Sequence, residues 1–177
     1  MGPRSRDSSV SVKAGLAGSR FSRSVRAAIG AQILMNHDQL RAVGGSILER
    51  REAEDLRERM SPPPALLSLL TTWPIVGARI SVEEGLDVSG FGVELQWMTP
   101  EQMEDEANET YPGIVAIKRG YFPMGICLEG SGDPYFYRSS DGAVVRIPHD
   151  AATETDLDED RIELVAASVE RLLAVAE

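Results

Sequence analysis

Residues 124–147, MGICLEGSGDPYFYRSSDGAVVRI, decide the fold class of this 177-residue chain. Apolar and other residues alternate over 124–128, and two further apolar runs occupy 134–138 and 143–147. Alternation with a period of two is typical of a half-buried strand. An Asp-Gly pair between two apolar runs, as at 141–142, is a strong hairpin signal. The stretch therefore predicts three strands, of which the last two form an antiparallel hairpin.

Further strands are predicted on the N-terminal side of this stretch. FGVELQW at 91–97 alternates in the same way, and residues 75–82 and 114–118 are apolar enough for two more strands. The strands thus cluster in the middle of the chain without regular strand–helix–strand alternation. This order predicts an α+β fold with a central, mainly antiparallel sheet flanked by N- and C-terminal helices.

Helices are predicted on both sides of the strands. ALLSLLTT at 65–72 follows three prolines and indicates a short buried helix. Thr-Pro-Glu-Gln at 99–102 combines an N-cap, a proline at the first helical position and a glutamine at the third. This capping box predicts a helix that ends near residue 109. Apolar positions that share one face over 162–176 predict a final helix.

Charge divides the chain into segments. Residues 1–60 carry 11 Lys and Arg against 7 Asp and Glu, whereas residues 61–177 carry 7 against 21, a net charge of −14. We expect residues 1–35 to be a basic leader that is too poor in apolar side chains to fold. We expect residues 36–61 to be a charged helical segment and residues 62–177 to be the α+β domain.

Both N-terminal segments admit more than one interpretation. The leader is a disordered tail, a stretch upstream of a true start at Met35, or an organelle transit peptide, whose Arg- and Ser-rich composition it shares. It lacks the continuous apolar core of a secretory signal, so we expect a cytoplasmic protein. The helical segment is either solvated or docked on the main domain or a partner.

Composition excludes several classes of function. The acidic charge beyond residue 60 disfavours DNA, RNA or anionic lipid as a direct ligand. The single cysteine, Cys127, cannot form an internal disulfide or a cysteine-based zinc site, and we expect it to be a small buried thiol. No apolar run reaches the roughly 20 residues of a membrane span. A basic protein is a better partner for such a chain.

Few residues could carry catalytic or metal chemistry. His149-Asp150 resembles the pairs found in metal-dependent phosphohydrolases, but His37 is the only other histidine. Two histidines are too few for such a site. We therefore expect His149 to bond to backbone or to pack at a strand end. We expect no catalytic residue, no metal and no cofactor.

Three motifs follow one another in the chain: WMTPEQ at 97–102, FPMGICLEGSGDPYF at 122–136 and DGAVVRIPHD at 141–150. Together they resemble the SUKH superfamily, which includes the fungal Smi/Knr cell-wall-synthesis regulators and many bacterial immunity proteins. The resemblance extends over about residues 62–175. The chain departs from the family pattern at Val145, where an aromatic residue is common.

The resemblance implies an α+β domain without a catalytic centre. Bacterial members of the family resemble antidotes that bind and block a toxin domain, often a nuclease or deaminase, whereas fungal members are signalling scaffolds. The expected function is therefore a non-enzymatic protein-binding domain, an immunity protein for a basic toxin. The alternative is a regulatory scaffold of the Smi/Knr type, and the oligomeric state is left open.

Partner-binding residues are predicted in the aromatic and acidic part of this region. Alternation places Tyr135 and Tyr137 on one face of a strand and Phe136 on the other, where it should enter the core. The two tyrosines either form an exposed contact patch, since tyrosine is favoured in interfaces, or pack under the terminal helix. The predicted partner-binding residues are Glu129, Asp133, Tyr135, Tyr137, Asp141 and Asp150.

Overall fold

A computed structural model describes residues 34–129 and 132–177 of the chain. The described residues form six α-helices and six β-strands in an α+β arrangement. In chain order these are α1 (His37–Ala42), α2 (Arg50–Met60), α3 (Pro64–Thr72), β1 (Arg79–Val82), β2 (Val93–Trp97), α4 (Pro100–Glu109), α5 (Gly113–Ala116), β3 (Tyr121–Cys127), β4 (Tyr135–Arg138), β5 (Val144–Arg146), β6 (Glu163–Ala166) and α6 (Val169–Leu173).

The six strands form one antiparallel sheet in the order β1-β2-β3-β4-β5-β6, so each strand pairs with the next in the chain. The sheet is curled, which brings its two edges towards each other. The N–H of Val88, in the β1–β2 loop, donates to the carbonyl of Val165 in β6 at 2.8 Å. Glu177, which follows α6, exchanges two backbone hydrogen bonds with Ser81 of β1. The predicted α+β class and mainly antiparallel sheet are confirmed.

Capping explains where several helices begin. The predicted capping box of α4 is present: the N–H of Gln102 donates to Thr99 Oγ1 at 3.4 Å, and the N–H of Thr99 donates to Gln102 Oε1 at 2.9 Å. The same reciprocal arrangement starts α1 at Asn36, and at the start of α2 the N–H of Glu49 donates to Glu52 Oε2 at 2.9 Å. These contacts use neighbours in sequence, so the start of α4 was predictable from a four-residue pattern.

Apolar side chains cover both faces of the sheet. One core cluster holds Tyr135 and Tyr137 together with residues of α1, α2, α3 and α6. A second cluster, on the other face of β4, holds Phe136 with residues of α5 and of the segment after β5. The predicted alternation along β4 is confirmed, and Phe136 is a core residue.

The helices of the 36–61 segment belong to the same core as the sheet. Leu40 of α1 and Leu56 of α2 are fully buried in the larger cluster. The interpretation of this segment as a solvated helix is therefore wrong, and the core does not divide at the predicted boundary between 61 and 62. Met35 is also buried, and its N–H donates to the carbonyl of Leu173. Met35 therefore belongs to the core and not to the leader that was predicted over residues 1–35. The leader up to residue 33 lies outside the described residues.

Two predicted elements have a different conformation. Residues 114–118 were predicted as a strand but form α5 and the 3-10 turn that follows it. This helix lies so close to α4 that a Cβ on Gly113 would come within 1.9 Å of the Glu106 carbonyl oxygen. The predicted final helix over 162–176 is instead β6 followed by the short helix α6. Pairing with β5 holds the first part as a strand, and the Ser168 side chain caps the helix that follows.

No helix within residues 34–129 and 132–177 has the length and apolar character needed to cross a membrane.

Candidate functional site

A cleft of about 500 Å³ lies at one end of the curled sheet. Because neighbouring strands run in opposite directions, the ends of β1, β3 and β5 meet the beginnings of β2, β4 and β6 there. Six of the described residues that line it are acidic, and one is basic. We call this feature the acidic cleft; its carboxylates belong to Glu83, Glu84, Glu94, Glu129, Asp133 and Glu163, and its single cation is Arg146.

Arg146 is held in place by its neighbours across the sheet. Arg146 in β5 lies directly opposite Glu163 in β6. Its Nη2 and Nε atoms lie 2.6 and 2.7 Å from Glu163 Oε2, and its guanidinium carbon lies 5.9 Å from the centre of the Phe91 ring. Burial disfavours the charge, but the hydrogen bond and attraction from Glu163 outweigh it and raise the pKa of Arg146. Since Glu163 offsets this single cation, the remaining carboxylates leave the cleft strongly negative.

A thiol and a phenol meet in the cleft. The Tyr135 hydroxyl donates to Cys127 Sγ at 3.9 Å, and the Cys127 thiol donates to the backbone carbonyl of Glu129 at 3.0 Å. Burial raises the pKa of the Tyr135 phenol above its ordinary range, and the neighbouring Cys127 raises it further. The phenol therefore stays protonated at neutral pH and can donate to Cys127 Sγ. Cys127 was predicted to be a small buried thiol, and the structure shows it half-buried.

His149 pairs with Asp133 instead of acting with its neighbour in sequence. Both its Nδ1 and its backbone N–H lie within hydrogen-bond distance of Asp133 Oδ1, at 2.8 and 2.9 Å. Asp150 instead accepts a hydrogen bond from Arg161 Nη2 at 2.7 Å. His149 and Asp150 thus do not form a joint site. His149 lies just after the end of β5, and its ring pairs with the Asp133 side chain rather than with backbone. Within the described residues, no three His, Cys, Asp or Glu side chains are grouped so that they could hold a metal ion.

The structure brings together only some of the six predicted partner-binding residues. Glu129, Asp133 and Tyr135 line the acidic cleft. Asp141 lies in the β4–β5 turn, where Arg138 lowers the pKa of its carboxyl through a hydrogen bond. Asp150 lies on a separate acidic surface after β5.

The two predicted tyrosines are not an exposed contact patch. Tyr135 and Tyr137 are buried in the larger core cluster, which also contains Leu172 and Leu173 of α6. Of the two interpretations that the sequence left open, the exposed contact patch is wrong, because both tyrosines are buried in the core that α6 also joins. Tyr135 also lines the cleft, where its hydroxyl donates to Cys127 Sγ.

Several cleft residues were not predicted from the sequence. Glu83, Glu84 and Phe91 lie in the β1–β2 loop, and Glu163 begins a strand that was predicted as a helix. The alternation of 91–97 places Glu94 on the face opposite Val93, which is a usable local signal. Nothing local indicates that these residues meet, because the curl of the sheet brings them together.

No protein-family model matches the chain, and no curated protein matches it.

Proposed function

We propose that this protein is a SUKH-like, non-enzymatic binding domain that acts as an immunity protein against a basic toxin domain of the nuclease or deaminase type. The acidic cleft carries the proposal. It gathers six carboxylates, two from the β1–β2 loop and four from the ends of β2, β3, β4 and β6, onto one end of the sheet. A concave surface of this charge is complementary to a basic protein surface.

The positions of the three motifs support the resemblance on which this proposal rests. Asp133 closes the glycine-rich motif at 122–136, and His149 lies near the end of the motif at 141–150. The two side chains are hydrogen-bonded although 16 residues separate them. The third motif, at 97–102, forms the end of β2 and the capped start of α4. All three motifs therefore contribute to one continuous part of the fold.

Charge provides the proposed mechanism of neutralisation. Enzymes that act on nucleic acid bind the phosphate backbone largely through Lys and Arg side chains. The acidic cleft would dock on such a surface and exclude the substrate. Because opposite charges also steer encounter, the association rate constant should fall as salt concentration rises.

Co-expression with the toxin-like protein encoded beside this gene tests the proposal. The wild-type chain should restore growth of the host, whereas the double variant Glu84→Lys/Glu129→Lys should not. The matched control is Asp105→Lys/Glu109→Lys, which makes the same charge change on exposed positions of α4. This control should protect as well as the wild type.

Three outcomes contradict the proposal: no neighbouring gene encodes a toxin-like domain, the wild type rescues no toxin, or the cleft variant and the control protect equally. An association rate constant that does not change with salt would remove the electrostatic mechanism. Recovery of a housekeeping protein on the cleft would favour the alternative, a regulatory scaffold.

A further inference from the structure

Four exposed apolar side chains belong to the loops that contribute residues to the acidic cleft, and one of them, Phe91, lines it. Leu86, Val88 and Phe91 belong to the β1–β2 loop, and Leu128 stands between the cleft residues Cys127 and Glu129. Phe91 is 69% exposed and Val88 is 62% exposed. Single exposed apolar residues are normal, but a group of them beside one cleft is typical of a binding surface. We call Leu86, Val88, Phe91 and Leu128 the apolar rim.

The loop that carries most of this rim is held in one conformation by hydrogen bonds. The Asp87 carboxylate accepts from the N–H groups of Ser89 and Gly92, at 2.9 and 3.0 Å. The bond from Val88 to Val165 ties the loop to β6. Gly92 has a φ of +78°, and a Cβ there would come within 2.9 Å of the Val82 carbonyl oxygen. The exposed side chains are therefore presented by a preformed loop, which lowers the entropy lost on binding.

The Phe91 ring indicates which cation this surface accepts. It already packs against the Arg146 guanidinium, and most of its surface remains exposed. Glu84 and Glu94 line the cleft beside it. A guanidinium can stack on an aromatic ring and still donate hydrogen bonds to carboxylates in its plane, which the compact ammonium of lysine cannot do equally well.

We propose that the apolar rim and the acidic cleft together dock a basic protein surface, with an arginine side chain of the partner seated against Phe91 among Glu84, Glu94 and Glu129. Aliphatic residues next to that arginine cover Leu86 and Val88. The inference rests on the proposed function for the class of partner, a basic protein. Beyond that function, it identifies an arginine of the partner as the anchoring side chain and the β1–β2 loop, through Phe91, as the element that selects it.

Peptide titration followed by nuclear magnetic resonance tests this inference without the toxin. The probe is the capped peptide Leu-Arg-Leu-Arg-Leu, added to the ¹⁵N-labelled full chain. It should shift the amide signals of residues 83–94 and 128–129. The matched peptide with lysine in place of arginine should bind more weakly. The matched peptide with glutamate in place of arginine should not bind.

A pair of variants measures the contribution of the aromatic ring. Phe91→Ala should weaken binding of the arginine peptide at least about fivefold, the loss expected for an anchoring aromatic residue. Tyr111→Ala is the matched control, because Tyr111 is also an exposed aromatic residue but does not line the cleft. This control should leave the affinity unchanged. Phe91 is 69% exposed, whereas Tyr111 is 37% exposed and donates a hydrogen bond to the Glu154 carbonyl, so circular dichroism of both variants checks that they fold.

The inference is overturned if the arginine peptide gives no shifts at millimolar concentration, if the shifts lie away from the cleft, if lysine binds as well as arginine, or if Phe91→Ala has no effect. These failures are distinguishable from failure of the proposed function. A chain that neutralises its toxin equally well with Phe91→Ala would refute only the anchor. A chain that binds the arginine peptide through Phe91 but protects against no toxin would refute only the immunity function.

Discussion

The Arg146–Glu163 ion pair in the acidic cleft should contribute measurably to the stability of the fold. Arg146→Met removes the cation and leaves the Glu163 carboxylate without its partner across β5 and β6. Glu163→Gln removes the charge while it keeps the shape of the side chain. The two single variants and the double variant form a cycle that isolates the coupling between the two side chains.

The burial of the pair sets the magnitude of this coupling. The side chains of Arg146 and Glu163 are 17% and 34% exposed. At an effective dielectric constant of about 20, two unit charges about 4 Å apart attract by about 4 kcal/mol. Desolvation opposes most of this attraction. Exposed cross-strand pairs of opposite charge contribute about 0.2–1 kcal/mol, so we expect about 1.5 kcal/mol for this half-buried pair. Arg146→Met alone should lower the free energy of unfolding by about 2–3 kcal/mol, since it also leaves a partly buried carboxylate unpaired.

Urea unfolding of the four chains, followed by circular dichroism, measures the coupling. The Arg161–Asp150 pair is a matched control, because its nitrogen and oxygen atoms also lie 2.7 Å apart but its side chains are 46% and 72% exposed. The same cycle on this pair should give no measurable coupling. Salt at about 0.5 M should reduce the Arg146–Glu163 coupling only in part, because screening is weaker for half-buried charges. Equal coupling in the two pairs, or none between Arg146 and Glu163, would refute the reasoning from burial.

Three further predictions follow from the packing. Leu56→Ala should lower the free energy of unfolding by about 3 kcal/mol in urea titrations, because Leu56 is fully buried; a loss below about 1 kcal/mol would contradict the place of α2 in the core. Gly113→Ala should lower the thermal midpoint and cost at least about 2 kcal/mol, since its Cβ would lie 1.9 Å from the Glu106 carbonyl oxygen; an unchanged midpoint would show that α4 and α5 can separate freely. Burial raises the pKa of the Glu106 carboxyl above 4.5, despite opposing effects of the Gly113 N–H and of His149. The folded chain therefore holds this proton to a higher pH than the unfolded chain, and its stability should fall relative to Glu106→Gln as pH rises from about 4.5 through the raised pKa. Parallel stability curves for the two proteins would be inconsistent with the raised pKa.

Local patterns predicted the elements whose cause is local. The capping box at 99–102 needs only four neighbouring residues, and the alternation of 91–97 follows from the pleat of a strand. The hairpin at 141–142 depends on an Asp-Gly turn, and the structure places β4 and β5 on either side of it. Each of these features is stabilised by residues close in sequence, so its pattern survives in the folded chain.

The predictions that failed concern segments whose conformation depends on distant contacts. An apolar run such as 114–118 suits a buried strand or a buried helix, and close packing of Gly113 on α4 selects the helix. The apolar positions of 162–176 suit a helix, but pairing with β5 holds the first of them as β6. The helices at 36–61 have a thin apolar stripe, and only the core reveals that Leu56 is buried.

The sequence by itself determined the α+β class, a mainly antiparallel sheet and the acidic charge beyond residue 60. Only the tertiary structure decided that six of these acidic residues line one cleft, and which six they are. A period of two assigns each side chain to a face of the sheet, but it does not state how the sheet bends. Backbone hydrogen bonds join distant parts of the curled sheet, Val88 with Val165 and Ser81 with Glu177, and these bonds leave no pattern in the sequence.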